Sequence, residues 1–504
     1  MLICSRATGL KSAWGSELSP FFHSEVGSHR VYIPNMDVKL RALNRFGLGA
    51  RRGESRTIDD PRGWLRAQLE AGPPVQNAPL LASPSAIAAA IRAFRQPGQA
   101  DPQQRQMARR RLVEIALAEG RAAVDSRVLS GRPFLERLVA FWSNHLCVST
   151  AAKVLVAPLA GSYERDVIRP HVLGKFEDMV LASAKHPAML IYLDNFQSIG
   201  PSSRAAQLAR RQRTSRGLNE NYARELLELH TLGVNGGYTQ QDVQELARIL
   251  TGWTIAGLPG PGRAMRRAST RGQLQRTPAD RDADDVIDFQ FQEALHEPGA
   301  RTVLGSRYRE DGVAQGERVI RDLCRHPSTA QFVATKLVTH FVADDPPSAA
   351  VGRIARVFRE SGGDLRAVSH ALIELPEAWD AANRKFRAPQ DWLVAVLRAF
   401  EVDSSGEMTV GVLRQLRQPL WAPQAPKGFG DSTQEWADPD SLLNRAELAR
   451  TFARRLRILD DPGVLLDVVD VTEGDPLRKV LADRTMSSAD RVALGVAGPA
   501  FQWR

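Results

Sequence analysis

"NENYARELLELHTLGVNGGYTQQDVQELARILTGW", residues 219–253, reads as two helices joined by a tight turn, and that reading sets the fold class. Its apolar side chains recur at three- and four-residue spacing, the period of a helix rather than a strand. Asn219 can cap the first helix and Leu218 can staple onto it. Gly233 before Val234 suits a left-handed helix ending, "NGG" turns the chain, and Thr239 with Asp242 restarts it as a capping-box-like pair. The two helices are therefore expected to lie antiparallel. On the first, Tyr222, Leu226 and Leu229 form the buried stripe with His230 on its flank. Asn221, Arg224, Glu225 and Glu228 take the opposite side, where Arg224 and Glu228 can pair at i,i+4. That face has no lysine and its carboxylates crowd at i,i+3. It reads either as a solvated face or as a polar site in which a cation or hydrogen-bond donors compensate the acids.

The same periodicity runs through most of the chain, with many Ala, Leu, Arg and Glu and few alternating β-branched runs, which predicts an all-α class built from αα-hairpins. One stretch departs from it: "VIDFQFQEALHEPGARTVLGSRYRED" alternates briefly around turn residues, predicting a small β-hairpin at about 286–309. Residues 256–285 carry repeated Gly and Pro and almost no large apolar side chains, so they are expected to form a flexible loop. Helical periodicity starts only after Met36, and residues 1–35 are expected to be a tail or an over-extended start. The division that follows is an N-terminal helical domain at 36–255, a hairpin plus helical domain at 286–400, and a C-terminal helical part at 401–504.

Composition narrows the function classes. At 504 residues, 43% hydrophobic and 25% charged, the chain has the make-up of a soluble globular protein, and no apolar run approaches the ~20 residues that span a bilayer. The net charge of +10 invites a nucleic-acid reading, but only nine of the 67 basic residues are lysines and the 58 arginines mostly stand singly beside acids. No zinc knuckle or aromatic RNA-binding string accompanies them, which argues against specific nucleic-acid binding. The three cysteines, Cys4, Cys147 and Cys324, lie far apart and make no CxxC pair. Residues 1–35 hold no uninterrupted apolar stretch followed by a small-residue cleavage site, so a cytoplasmic location is expected.

A second helix carries polar groups of interest. In "PFLERLVAFWSNHLCV", residues 133–148, the stripe is Phe134, Leu135, Leu138, Phe141, Trp142 and Leu146, with His145 in its middle and Asn144 at its edge. Such a histidine is either a core residue bonded to a neighbour or a proton carrier. In "KHPAML" and "RHPSTAQ" the proline suits a first helical turn, which makes His186 and His326 helix-opening residues. No HExxH or ExxH spacing, GxSxG elbow, Walker loop or dinucleotide fingerprint appears, so no cofactor is indicated and only a metal is left open.

Taken together, "RFGLGARRGE" (45–54), "RPFLERLVAFWSNHLCVS" (132–149), "IRPHVLGKFEDM" (168–179), "HPAMLIYLDN" (186–195), the opening stretch, "HEPGARTVLG" (296–305), "HPSTAQFVATKLVTHFV" (326–342), "PKGFGDSTQEWADPDSLLNR" (426–445) and "GPAFQWR" (498–504) resemble the ordered motifs of the bacterial domain of unknown function 1800 family. The resemblance implies a single large helical protein and no assigned reaction. It points to Asn144, His145, Arg169, His171, Asn219, Glu220, Arg224, Glu225, Glu228, His230 and His296 as motif residues. Two departures stand out: Glu297 follows His296 where Asp is commoner in the family, and Cys147 follows Leu146 where Phe-Thr is commoner. The resemblance also suggests a partner, a sulfatase-like protein encoded nearby, with co-export as an alternative to a cytoplasmic location.

Two functions are expected from this. One is an accessory or assembly protein acting with that partner and held by a buried polar network. The other is a hydrolase acting on a polymer or a phosphorylated or sulfated compound. In that case Glu225 and Glu228 serve as acid–base or metal-binding groups and His145 or His230 as proton carrier. Arg224 clamps an anion, and Asn144, Arg169, His171, Asn219, Glu220 and His296 complete the substrate site.

Overall fold

Proline in a first helical turn opens most of the long helices. In a computed structural model that describes residues 37–76, 81–95, 101–211, 217–258, 286–402, 407–455, 462–471 and 473–504, α1 (Pro102–Leu129) begins this way, its N-cap Asp101 accepting from the Gln103 amide at 2.9 Å. A proline costs no hydrogen bond there, because the first amides of a helix have no intrahelical acceptor. The expected tail at 1–35 and, from residue 259, the expected loop at 256–285 lie outside the described residues. Met36–Arg504 form one compact unit, and its described residues are mainly helical.

The αα-hairpin that opens the sequence argument is present, with one departure. Its first arm is α3 (Asn221–Glu225), after α2 (Pro133–His145), and it continues directly into a π-helical turn, Leu226–Thr231. The Leu232 amide donates to the Leu227 carbonyl five residues back, at 2.9 Å. Gly233 then takes φ 83°, and α4 (Gln240–Ile249) starts with the full Thr239–Asp242 capping box. The π turn has a consequence for the side chains: an extra residue in the turn rotates His230 into the core and Leu229 out of it, the reverse of what a regular helix gives.

The β structure is small. Strands β1 (Trp253–Ile255) and β2 (Phe289–Phe291) pair antiparallel with Trp253 opposite Phe291, and β3 (Arg301–Val303) pairs with β4 (Ser306–Tyr308). The expected hairpin is β3–β4. Its two turn residues, Leu304 and Gly305, both have positive φ (48° and 76°), the geometry that matches the twist of a two-residue hairpin. The pairing of 289–291 with 253–255 was not read from the sequence.

Helices α5 (Val313–Arg325), α6 (Pro327–Phe341), α7 (Ser348–Glu360), α8 (Pro389–Ala399), α9 (Pro439–Arg455) and α10 (Ser488–Ala497) complete the part that matters for the site. Two cores result. One runs from Ala42 to Ala378; the other joins residues near 40–58 and 123–128 to α8, α9 and α10. Phe46, Phe134 and Phe341 meet where α2 crosses α6, with ring centroids 5.7 to 6.0 Å apart, and fix the two helices side by side.

Candidate functional site

Between the C-terminal halves of α2 and α6, the start of α8 and the segment 418–431 lies a cavity of about 400 Å³. The sequence builds this wall by locking 418–431 onto the end of α2 and the residues that follow it. Asn144 does so with both ends of its amide, Nδ2 donating to the Phe429 carbonyl at 2.9 Å and Oδ1 accepting from the Phe429 amide at 2.8 Å. The Ser149 hydroxyl donates to the Pro423 carbonyl at 2.7 Å and the Thr150 amide to the Trp421 carbonyl at 2.8 Å. Trp421 itself sits at φ 47°, a strained conformation for a bulky residue, and its indole N–H donates to Glu164 at 2.9 Å. Gly428 has positive φ, and a Cβ there would lie 2.5 Å from the Asn144 carbonyl oxygen, so only glycine fits.

Five titratable groups face this cavity from α6, α8 and the locked segment: Lys336, His340, Asp391, Lys427 and Asp431. His340 Nδ1 lies 2.7 Å from Asp431, an arrangement that places the ring proton on Nδ1 and leaves Nε2 as the basic nitrogen. Arg137 Nη1 approaches that nitrogen only at 3.5 Å. Burial pushes the His340 pKa down against the pull of Asp431, so the ring is neutral at neutral pH, while Asp431, next to that imidazole and close to Lys385, is held far below the usual carboxylate range. Asp391, in the first turn of α8, accepts from Arg137 at 2.8 Å and is ion-paired with Arg504, whose Nε lies 3.2 Å away, and these two charges likewise keep it ionised.

Of the residues singled out from the sequence, Asn144 and His145 line the cavity; the other nine do not. His145 is buried, and its Nε2 donates to the His230 carbonyl at 3.1 Å, which leaves Nδ1 as a buried acceptor without a partner. Burial keeps both histidines neutral, His230 down at about 3. Arg169 is held by Glu136 at 2.8 and 3.0 Å and by Glu164 at 3.2 Å, all three buried, so its guanidinium is already occupied by two carboxylates. His171 Nδ1 bonds back to the Val167 carbonyl (2.7 Å), and the buried His296 bonds through Nδ1 to the Thr251 carbonyl (2.8 Å). Glu297 accepts from the Ser202 amide at 2.6 Å, a chain-joining role.

The polar face of the opening stretch is satisfied within the hairpin. Arg224 reaches Glu220 at 3.3 Å, Glu228 at 3.8 Å and Gln240 at 3.0 Å, and the Asn219 side chain accepts from the Asn221 amide at 2.9 Å. Glu225 has its pKa raised by partial burial and by Glu228, the crowding the sequence shows. Since the Arg224–Glu228 pair is partly exposed, Glu228→Ala is expected to change unfolding stability by less than about 1 kcal/mol in a urea titration. A larger loss would mean that the carboxylate holds something beyond Arg224.

Sequence reasoning missed Lys336, His340, Asp391 and Asp431. A signal existed for the first two: they sit at i,i+4 within "FVATKLVTHF", whose Val333, Leu337, Val338 and Phe341 are core residues. Among the described residues no three His, Cys, Asp or Glu side chains group as metal ligands, and no helix is long and apolar enough to cross a membrane.

The matched family is described as Protein of unknown function (DUF1800), and its model covers residues 41–502 of this chain. The chain belongs to that family. No curated protein and no solved structure matches it.

Proposed function

We propose that this chain is an enzyme whose active site is the cavity between α2, α6 and α8, acting on a small compound that carries negative charge. The observation behind this is the His340–Asp431 pair at 2.7 Å on the cavity wall. A neutral imidazole on a cavity wall, oriented by a carboxylate that holds its Nδ1, is the geometry of a proton carrier in general acid–base catalysis. The charge preference follows from the rest of the wall. Lys427 lines it from an exposed position with no ion-pair partner among the described residues, whereas Arg127 is paired with Glu164, and Asp391 and Asp431 are bonded to bases. An uncompensated positive charge at a concave site draws anions in.

Ligand-detected NMR on a mixture of small carboxylic acids tests this, with wild type beside Lys427→Glu, a charge reversal at an exposed rim position. Saturable binding of one or more acids, weakened at least tenfold in the variant, is expected. No binding, or equal binding by both proteins, would overturn the proposal.

A second reading keeps the chain as an accessory protein acting with a sulfatase-like partner. Its support is the closed chain of buried charges from Arg127 through Glu164 and Arg169 to Glu136, which fixes helix orientation without serving a ligand. Co-expression of the two proteins, followed by capture of a stoichiometric complex, is its expected result; separate elution of the two would contradict it.

A further inference from the structure

We propose that Lys336 is a nucleophile that condenses with the carbonyl group of a small oxo acid, forming an imine in the cavity; this rests on the reading of the cavity as an active site. Lys336 lies on α6 one helical turn before His340, partly buried, on the cavity wall. Its Nζ sits 5.6 Å from the centroid of the Phe332 ring and makes no hydrogen bond or ion pair with a described residue. The other enclosed lysine, Lys385, is treated differently by the fold, since it is paired with Asp344 and bonded to the Asp431 carbonyl. Partial burial without a hydrogen-bond acceptor favours the neutral, nucleophilic amine, with the Phe332 ring face, which attracts the ammonium form, opposing it.

The surroundings agree. Around Lys336 stand the Phe332 ring, the Thr335 and Thr339 hydroxyls and the Cys147 thiol, whose proton is held by burial at a pKa of about 12 and whose S–H donates to the Pro426 carbonyl at 3.1 Å. Burial lowers the Lys336 pKa, with Cys147 and Asp431 opposing. Residues four apart on a helix are neighbours, so His340 is placed to move protons for the amine.

The step balances without an outside oxidant or reductant. The neutral Lys336 nitrogen attacks the carbonyl carbon, the carbonyl π pair moves to oxygen, and His340 Nε2 takes a proton from the now positively charged nitrogen and passes it to that oxygen, giving a carbinolamine. Nε2 then takes up a proton from solvent and passes it to the hydroxyl, which leaves as water while the nitrogen lone pair forms the C=N bond of the protonated imine. The acid group of the substrate faces Lys427, the charge on the wall left without an ion-pair partner among the described residues.

The test is reductive trapping on the full chain, with glyoxylate and pyruvate as probes and cyanoborohydride present, read by peptide mass mapping. Expected is a secondary-amine adduct on Lys336 forming at least tenfold faster than on any other lysine. Lys336→Met should abolish it, and His340→Gln should slow it at least tenfold and flatten its pH profile. Native-like unfolding midpoints for both variants exclude trivial loss of fold. Adducts spread evenly over exposed lysines would overturn the imine. If Lys336 stays unmodified while small acids still bind, the imine falls and the active-site reading stands; if acids neither bind nor trap, both fall.

Discussion

Asp391→Asn is expected to lower the unfolding free energy by about 3–5 kcal/mol, the cost of removing one partner from a buried charge cluster. Asp391 holds Arg137 and Arg504, whose side chains are each 1% exposed, and its own is 13% exposed. Two further buried guanidinium groups, Arg387 and Arg445, feel its charge and are pushed down by burial to about 9 each. Asparagine keeps the shape and one acceptor but removes the carboxylate paired with Arg137 and Arg504, leaving the more distant Asp431 and Asp344 near Arg504 and Asp438 near Arg445. The loss should be global, because the cluster joins α2 and α8 to residues 502–504: Arg445 also donates to Gln502 at 2.6 Å, and Arg504 to the Arg45 carbonyl at 3.1 Å. A urea midpoint that falls with an unchanged slope is the expected record. A loss under about 1 kcal/mol would mean that solvent or another acid replaces the carboxylate.

Stability is also expected to fall steeply as pH drops from about 6.5, well before carboxylates titrate. His145 and His230 are fully enclosed, and burial lowers both pKa values. In the folded chain they stay neutral to low pH, His230 to about 3. The unfolded chain binds protons at both near pH 6.5, so it holds more protons and stability rises with pH through this window. Each such histidine is worth about 1.4 kcal/mol per pH unit well below pH 6.5 and about half that at pH 6.5, so the pair removes about 3 kcal/mol between pH 6.5 and 5. Asp391 and Asp431, depressed when folded, add to the loss below about pH 4, in the same direction. Glu225 works the other way, but it is partly exposed and its share is small. Urea midpoints at pH 7.5, 6.5 and 5 check this, and a flat response would show that one or both histidines are charged in the fold.

What was readable in the sequence was local. The Thr239–Asp242 capping box, the Gly233 helix ending and the β3–β4 hairpin each depend on residues within a few positions of one another. His186 and His326 open their helices as the following prolines predict, each ring nitrogen accepting from the amide two residues on, at 3.1 and 3.2 Å. The burial of His230 was not readable, because a helical wheel assumes 3.6 residues per turn and Leu226–Thr231 is π-helical. Nor was the cavity. Its polar pairs join His340 to Asp431, 91 residues apart, and Arg137 to Asp391, 254 apart, separations that no periodicity encodes. The dense polar stretch at 219–230 drew attention because its charges are adjacent in sequence. That adjacency lets Arg224, Glu220 and Glu228 satisfy one another on a partly exposed face.

The most direct measurement of the central claim is turnover without a chosen substrate. A small-molecule extract from the native host is incubated with wild type, His340→Gln and Asp431→Asn, and its components are followed by mass spectrometry. Depletion of one or more small carboxylates by wild type, slowed at least a hundredfold in both variants, is the predicted result, in keeping with the ~10²–10⁴ that acid–base groups contribute. Identical extracts from all three proteins, each shown to be folded, would contradict an active site at His340 and Asp431.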